Sequence, residues 1–146
     1  MIDLTVMAAA AKNATRQMAH ASTEAKNIAL KAIANNLEQS QNDILSANER
    51  DINEGHNNGL NSALIDRLTL TPERLDAMAA DVINIASLPD PIGERFDSQV
   101  LENGLQIERQ RVPIGVLGVI YESRPNVTID VTALAIKTGN VVLLRG

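Results

Sequence analysis

The chain has 146 residues, with 18 acidic against 13 basic side chains and a formal net charge of −5. It contains no cysteine and two histidines, which excludes disulfides, thiolate metal sites and a thiol nucleophile within these residues, and leaves too few ligands for a histidine zinc site. The acidic balance and the lack of an aromatic stacking surface give no general reason to bind nucleic acid.

No apolar stretch approaches the roughly 20 residues that a bilayer requires. An acid, Asp3, stands early, and no basic residue precedes the first apolar ones, which argues against a secretory signal. The expected compartment is therefore the cytoplasm, and the expected partner is a small molecule or another protein, with no membrane. An apolar fraction of 45 % can supply a core, built from Ala, Ile, Leu, Val and Met in closely spaced helices.

Residues 4–18 place Leu4, Met7, Ala8, Ala11, Ala14 and Met18 at three- and four-residue steps, the period of one helical face. A second helix is expected over 23–38, with Ser22 as cap and Ile28, Ala32 and Leu37 buried. Ser40 and Asp43 read as a weak capping-box variant that opens a short third helix through Ile44, Leu45 and Ala47. Gly55, Asn57, Asn58 and Gly59 read as a turn cluster, and residues 60–68 as another short helix. Thr71-Pro72-Glu73 starts a further helix, with a cap, a proline at the first position and an acid near the positive end. Its buried stripe would be Leu75, Met78, Ala79, Val82, Ile83 and Ala86, and Pro89-Asp90-Pro91 ends it. His20 and His56 fall in a helix and a polar turn and read as solvent-facing, and Glu49-Arg50-Asp51 as a solvated helix end.

After Gly93 the pattern changes to strands. Residues 99–102 and 105–109 flank Asn103-Gly104, which predicts a tight β-hairpin. Neither face of it is fully apolar, so it is expected to project from the body, as a solvated edge or as a strand pair shared with another chain. Residues 112–121 form an almost continuous apolar run, the mark of a parallel strand covered on both faces. A helix over 129–137, stopped by Thr138-Gly139-Asn140, and a strand over 141–144 complete a βαβ unit with a right-handed crossover. The Gly115-x-x-Gly118 pair lies inside a strand and is therefore not a dinucleotide fingerprint.

The expected fold is α/β: N-terminal helices, a projecting β-hairpin and the first βαβ unit of a doubly wound, Rossmann-like parallel sheet. The divisions are 1–96 as a helical lead-in of a cofactor-binding domain, 97–112 as the hairpin and 113–146 as the start of the cofactor-binding sheet. Such a sheet needs roughly six strands, so the chain reads as a truncated N-terminal part of a larger protein, with a catalytic domain absent.

The run 111–128, containing Tyr121-Glu122-Ser123-Arg124-Pro125-Asn126, and the run 137–146, Lys-Thr-Gly-Asn-Val-Val-Leu-Leu-Arg-Gly, resemble the gamma-glutamyl phosphate reductase branch of the aldehyde dehydrogenase superfamily. Residues 68–74 and 88–93 are similar to N-terminal motifs of the same branch. The resemblance implies NADPH-dependent reduction of L-glutamate 5-phosphate to L-glutamate 5-semialdehyde and phosphate, the second step of proline biosynthesis, in a full-length homo-oligomer. It also implies a cysteine thiolate that displaces phosphate to give a thioester reducible by hydride. That cysteine would lie beyond Gly146, so no catalytic residue and no metal is expected in this chain, and the chain alone is expected to be inactive.

By the same resemblance the turn Ile120, Tyr121 and Glu122, with Arg145, would contact the cofactor, Arg145 favouring the 2′-phosphate of NADPH. Ser123, Arg124 and Asn126 would contact the oxyanion or the substrate. Ser123 occupies the place of the superfamily's oxyanion-holding asparagine, with Asn126 nearby, although either residue would also serve as a helix cap. Arg124 would fork onto the α-carboxylate or the phosphate, against an ordinary surface arginine. The resemblance also allows the hairpin to join an oligomerisation sheet. The rival is a non-catalytic helical interaction module that docks through exposed strands, which leaves the two motif runs unexplained. A third reading, a bifunctional synthase carrying a kinase domain, is disfavoured by a start at Met1.

Overall fold

The computed structural model describes residues 3–146. Its elements, in chain order, are α1 Leu4–Ala19, α2 Thr23–Gln39, α3 Gln41–Asn57, α4 Ser62–Leu68, α5 Pro72–Ser87, β1 Arg95–Val100, β2 Gln106–Gln110, β3 Val116–Ile120, α6 Pro125–Lys137 and β4 Val141–Arg145. Short polar side chains begin four of the helices by accepting from backbone N–H groups that lack a helical partner. Asp3 accepts from Thr5 at 2.8 Å, Ser22 from Ala25 at 3.1 Å, Asn61 from Leu64 at 3.0 Å and Thr71 from Arg74 at 3.2 Å.

The third helix is long, not short. Ser40 gives no side-chain cap, and α3 continues through Gly55 to Asn57, which places His56 in its last turn. Gly55 is a packing position: a Cβ there would lie 3.0 Å from both Leu60 Cδ1 and Ile65 Cδ1. The stop is Gly59 alone, at φ +76°, where Gly59 N–H bonds the His56 carbonyl and Leu60 N–H the Gly55 carbonyl. This is the Schellman arrangement, whose left-handed residue favours glycine.

The core lies where α2, α5 and α6 meet, around Leu30, Leu75, Ala79, Val82 and Ala133. The α5 stripe is as expected except for Ile83, which is exposed. On α2 the buried face is Lys26, Leu30, Ala34 and Leu37; Ile28 is 61 % exposed and Ala32 is also outside. Of the α1 stripe, Ala11 is buried, Ala14 and Met18 are half-buried, and Leu4 stands in solvent, because α1 meets the sheet rather than the helical core.

The α2 face turns as it does because of a buried polar junction. The end of α6 forms a second Schellman motif: Gly139, at φ +66°, donates to Ile136, and Asn140 donates to the Ala135 carbonyl at 2.8 Å. The carbonyl of Lys137 is left over, and Lys26 Nζ reaches it at 3.4 Å while ion-pairing with Asp90 at 2.6 Å. Lys137 Nζ in turn donates to the Ala86 carbonyl in the last turn of α5 at 2.9 Å and to Asn27 Oδ1 at 2.8 Å. Lys26 and Lys137 are 3 % and 2 % exposed. Each is tolerable there because it faces the negative end of a helix and finds acceptors.

The strands form two separate pairs, β1 with β2 antiparallel and β3 with β4 parallel. The hairpin turn differs from the expected two-residue type. Gly104 N–H bonds the Leu101 carbonyl at 2.8 Å and Leu101 N–H bonds the Leu105 carbonyl at 2.9 Å. That closes a three-residue loop in which Gly104 alone, at φ +82°, takes the left-handed conformation. A bulge between Phe96 and Gln99 puts Asp97 at φ +52°. The hairpin is exposed apart from Phe96, which is half-buried under the Arg111 guanidinium 5.1 Å from its ring centroid.

The expected long apolar strand is only Val116–Ile120, since Pro113 has no N–H and Gly115 sits at φ +119°. It is half-covered, with Ile120 86 % exposed, because among the described residues β4 is its one neighbour. The following helix begins four residues earlier than expected, at Pro125, as proline permits at a first helical position.

The junction makes a specific expectation. Lys26→Met strands Asp90, whose side chain is 9 % exposed, and should lower unfolding stability by about 3 kcal/mol. Burial raises the Asp90 carboxyl, but hydrogen bonds from Lys26, Ile92 and Thr23, with the Lys26 charge, outweigh it and hold the carboxyl below its ordinary value. A depressed native carboxyl stabilises above its unfolded value and loses that contribution as pH falls through the native one. In urea titrations, the stability gap between the natural protein and Asp90→Asn should be constant at neutral pH and shrink below about pH 4; a gap independent of pH would contradict this.

Candidate functional site

Parallel strands present ligands at their carboxyl ends. Here β3 ends at Ile120 and β4 at Arg145, paired Cα to Cα, and Tyr121 N–H donates to the Arg145 carbonyl at 3.0 Å. The sheet thus brings Ile120, Tyr121 and Arg145 to one edge, with Glu122 next to them, and all except Tyr121 are exposed. The Tyr121 hydroxyl shares a 2.6 Å hydrogen bond with Thr128 Oγ1, which ties the turn to α6. The ring also fixes the residue after β4: a Cβ on Gly146 would come within 3.1 Å of Tyr121 Cε2. The Arg145 guanidinium hydrogen-bonds the Gly146 carbonyl.

Between Glu122 and α6 the backbone is constrained. Ser123 sits at φ +49°, a left-handed conformation that disfavours a residue with a Cβ. Arg124 is the residue before the helix and gives no side-chain cap. The Asn126 amide turns away from the helix end and donates to Asp130 Oδ2 at 3.2 Å. Neither Ser123 nor Asn126 therefore caps α6. The first N–H groups of the helix have no side-chain acceptor and form the positive end of its dipole at the strand termini.

Two clefts meet at Arg124 and Pro125, which line both. One, of about 400 Å³, runs from Tyr121 and Ser123 toward Asn48 and Asp51 of α3 and reaches Gly146. Its wall is held by Asn48, whose amide donates to the Leu68 carbonyl at 2.9 Å and accepts from Leu70 N–H at 2.7 Å. The other, of about 430 Å³, lies between α4, α5 and the start of α6. Three arginines, Arg67, Arg74 and Arg124, and three aspartates, Asp66, Asp81 and Asp130, line it. Arg74 is committed: it donates to the Asp66 and Thr69 carbonyls at 2.6 Å and pairs with Asp66 Oδ1 at 3.0 Å. Burial pushes the Asp130 carboxyl up; the Asn126 hydrogen bond opposes this, the nearby Asp81 charge adds to it, and the net value is above the ordinary one.

Sequence reasoning placed Ser123, Arg124 and Asn126 at this turn and missed Asp81 and Asp130, which face it from α5 and α6. The available signal was their interruption of apolar helical stretches, and it does not say that the two carboxylates share a cleft. A third cleft, of about 610 Å³ and lined by Lys12, Arg16, His20 and Arg111, lies at the amino ends of the same strands, near Pro113 and Gly115. Among the described residues no group of three or more His, Cys, Asp or Glu is arranged to hold a metal, and no helix is long and apolar enough to cross a membrane.

No protein-family model matches the chain. The chain is 55 % identical, over all of its 146 residues, to 35 % of the gamma-glutamyl phosphate reductase of Actinobacillus succinogenes. A crystal structure of gamma-glutamyl phosphate reductase from Thermotoga maritima superimposes with a TM-score of 0.89 at 46 % identity, covering 93 % of this chain and 33 % of that one. The Saccharomyces cerevisiae enzyme of the same name gives a TM-score of 0.89 at 34 % identity, covering 93 % of this chain and 35 % of that one. The chain therefore spans about one third of the length of the relatives it matches.

Proposed function

Because the chain is homologous along its whole length to one third of gamma-glutamyl phosphate reductases, we propose that it forms part of the cofactor- and substrate-binding half of such an enzyme. The reaction is reduction of L-glutamate 5-phosphate by NADPH to L-glutamate 5-semialdehyde and phosphate. The observation that carries this reading is the meeting, at the carboxyl ends of two parallel strands, of Ile120, Tyr121 and Arg145 with the uncapped start of α6. The chain contains no cysteine, so the thiol that accepts the acyl group belongs to another part of the full-length protein, which we place in the cytoplasm.

The residues present fit a dinucleotide. The start of α6, where Pro125 has no N–H and the Val127 N–H bonds the Arg124 carbonyl, still presents the positive end of the helix dipole, which favours a negatively charged group, and the exposed Arg145 at the end of β4 supplies a forked cation suited to a 2′-phosphate. When bound, NADPH supplies hydride to the activated acyl carbon. The protein's part is to position. Tyr121, held by Thr128, sets the turn, and Ser123 is held in its left-handed conformation at the cleft. Ser123 Oγ, with Asn126 beside it, faces the developing oxyanion, where a fixed donor stabilises charge without reorganisation. Arg124, which has no ion-pair partner among the described residues, offers its guanidinium to a substrate anion.

The full-length protein, assayed in the reverse direction with glutamate 5-semialdehyde, phosphate and NADP+, should form NADPH, and absence of turnover would remove the proposal. In the same assay Arg145→Ala should lower the preference for NADP+ over NAD+ about tenfold, the loss of one charge-assisted contact, and an unchanged ratio would exclude that role.

The hairpin joins the same reading as a strand pair shared between subunits. Val100, Leu105 and Ile107 are exposed on it, and an edge of this kind is usually either charged or paired. Removing residues 97–112 from the full-length protein should reduce its assembly size in sedimentation, and an unaltered size would refute the shared sheet.

A further inference from the structure

The arginine-aspartate cleft between α5 and α6 carries more than the anion contact at Arg124. Of its three arginines and three aspartates, Arg74 and Asp66 neutralise each other at 3.0 Å. The other four, Arg67, Arg124, Asp81 and Asp130, have no ion-pair partner among the described residues. Two free cations and two free anions therefore line one cleft without closing on one another.

Charges of opposite sign usually pair where their side chains can reach. Here they do not: Arg124 stands before α6 with its carbonyl bonded by Val127 N–H and its side chain giving no cap, while Asp130 lies beyond the first turn of the same helix, accepting from Asn126 at one oxygen only. Asp81 lines the same cleft from α5, and its charge adds to the burial that raises the Asp130 carboxyl. Two carboxylates that repel across a cleft gain from a cation placed between them. A free guanidinium on the same wall gains from a carboxylate. The complementary ligand carries both charged groups on one carbon.

We infer that this cleft recognises the amino-acid head of the substrate: Asp81 and Asp130 receive the α-ammonium group and Arg124 takes the α-carboxylate. This rests on the reductase reading above and adds the basis of its selectivity. The distal acyl group then extends from the cleft past Pro125 toward Ser123, which lines the adjoining cleft.

The test uses full-length protein in the reverse direction, with two aldehydes: glutamate 5-semialdehyde, and 5-oxopentanoate, which lacks the α-ammonium group. The natural enzyme should prefer the former by about tenfold or more in kcat/KM, as expected for a site whose polar groups go unpaired with the lesser substrate. In Asp81→Asn and in Asp130→Asn that preference should fall toward unity through a raised KM for the semialdehyde, without a matching rise for 5-oxopentanoate. Asp81→Glu should restore much of the preference. Asp81 is exposed, so its substitutions leave the fold in place even if Asp130→Asn does not. A preference that is the same in the natural enzyme and the variants, or equal losses with both aldehydes, overturns the inference while leaving the reductase reading intact. A natural enzyme without activity on the semialdehyde overturns both.

Discussion

Two helices that end in the same buried place leave carbonyl groups that water cannot reach, and the fold depends on how these are satisfied. Around the ends of α5 and α6 the answer is a pair of lysines. Lys137, the last residue of α6, serves the Ala86 carbonyl of α5, and Lys26 of α2 serves the Lys137 carbonyl. Each charge lies at the negative end of a helix dipole, and the Lys26 charge is balanced by Asp90. A buried lysine without acceptors would destabilise the fold; here each has them.

The position of the site follows from that junction. Once the end of α6 is fixed, Gly139 and Asn140 turn the chain into β4, and Asn140 Oδ1 accepts from Gly115 N–H at 2.8 Å just before β3. A Cβ at Gly139 would lie 3.0 Å from Pro113 Cγ and 3.2 Å from the Met18 carbonyl oxygen, so α1 and the approach to β3 pack against the same turn. Both strands therefore begin from one anchored point, and their equal length brings Ile120 opposite Arg145 at the far end. The opposite end of α6 carries Arg124 and the positive end of the helix dipole. The helix is held at its C-terminal end, and its N-terminal end faces the two clefts.

Elements with a strong local cause were readable from sequence. Thr71-Pro72 starts α5, and the α5 stripe from Leu75 to Ala86 is buried apart from Ile83. The strand-helix-strand order after Pro113 is present, and the family resemblance agrees with the comparisons. What escaped was decided by tertiary contacts. A lysine ordinarily stays in solvent, and the burial of Lys26 goes with an α2 orientation in which Ile28 faces out. Gly55 reads as a turn, yet its missing side chain admits Leu60 and Ile65. Asn103-Gly104 reads as a two-residue turn, but the loop takes in Glu102 as well and leaves Gly104 alone in the left-handed conformation. At the site, Ser123 and Arg124 were reached through the motif, whereas Asp81 and Asp130 stand 49 positions apart and meet only through the packing of α5 on α6.

On the proposed function, the carboxyl ends of β3 and β4 and the start of α6 hold the dinucleotide. Amide hydrogen exchange on the full-length protein, with and without NADPH, tests it most directly. Protection should rise at residues 120–127 and 145–146, with little change in the hairpin or at the Lys26–Lys137 junction. Protection elsewhere with none at these two segments would contradict the claim.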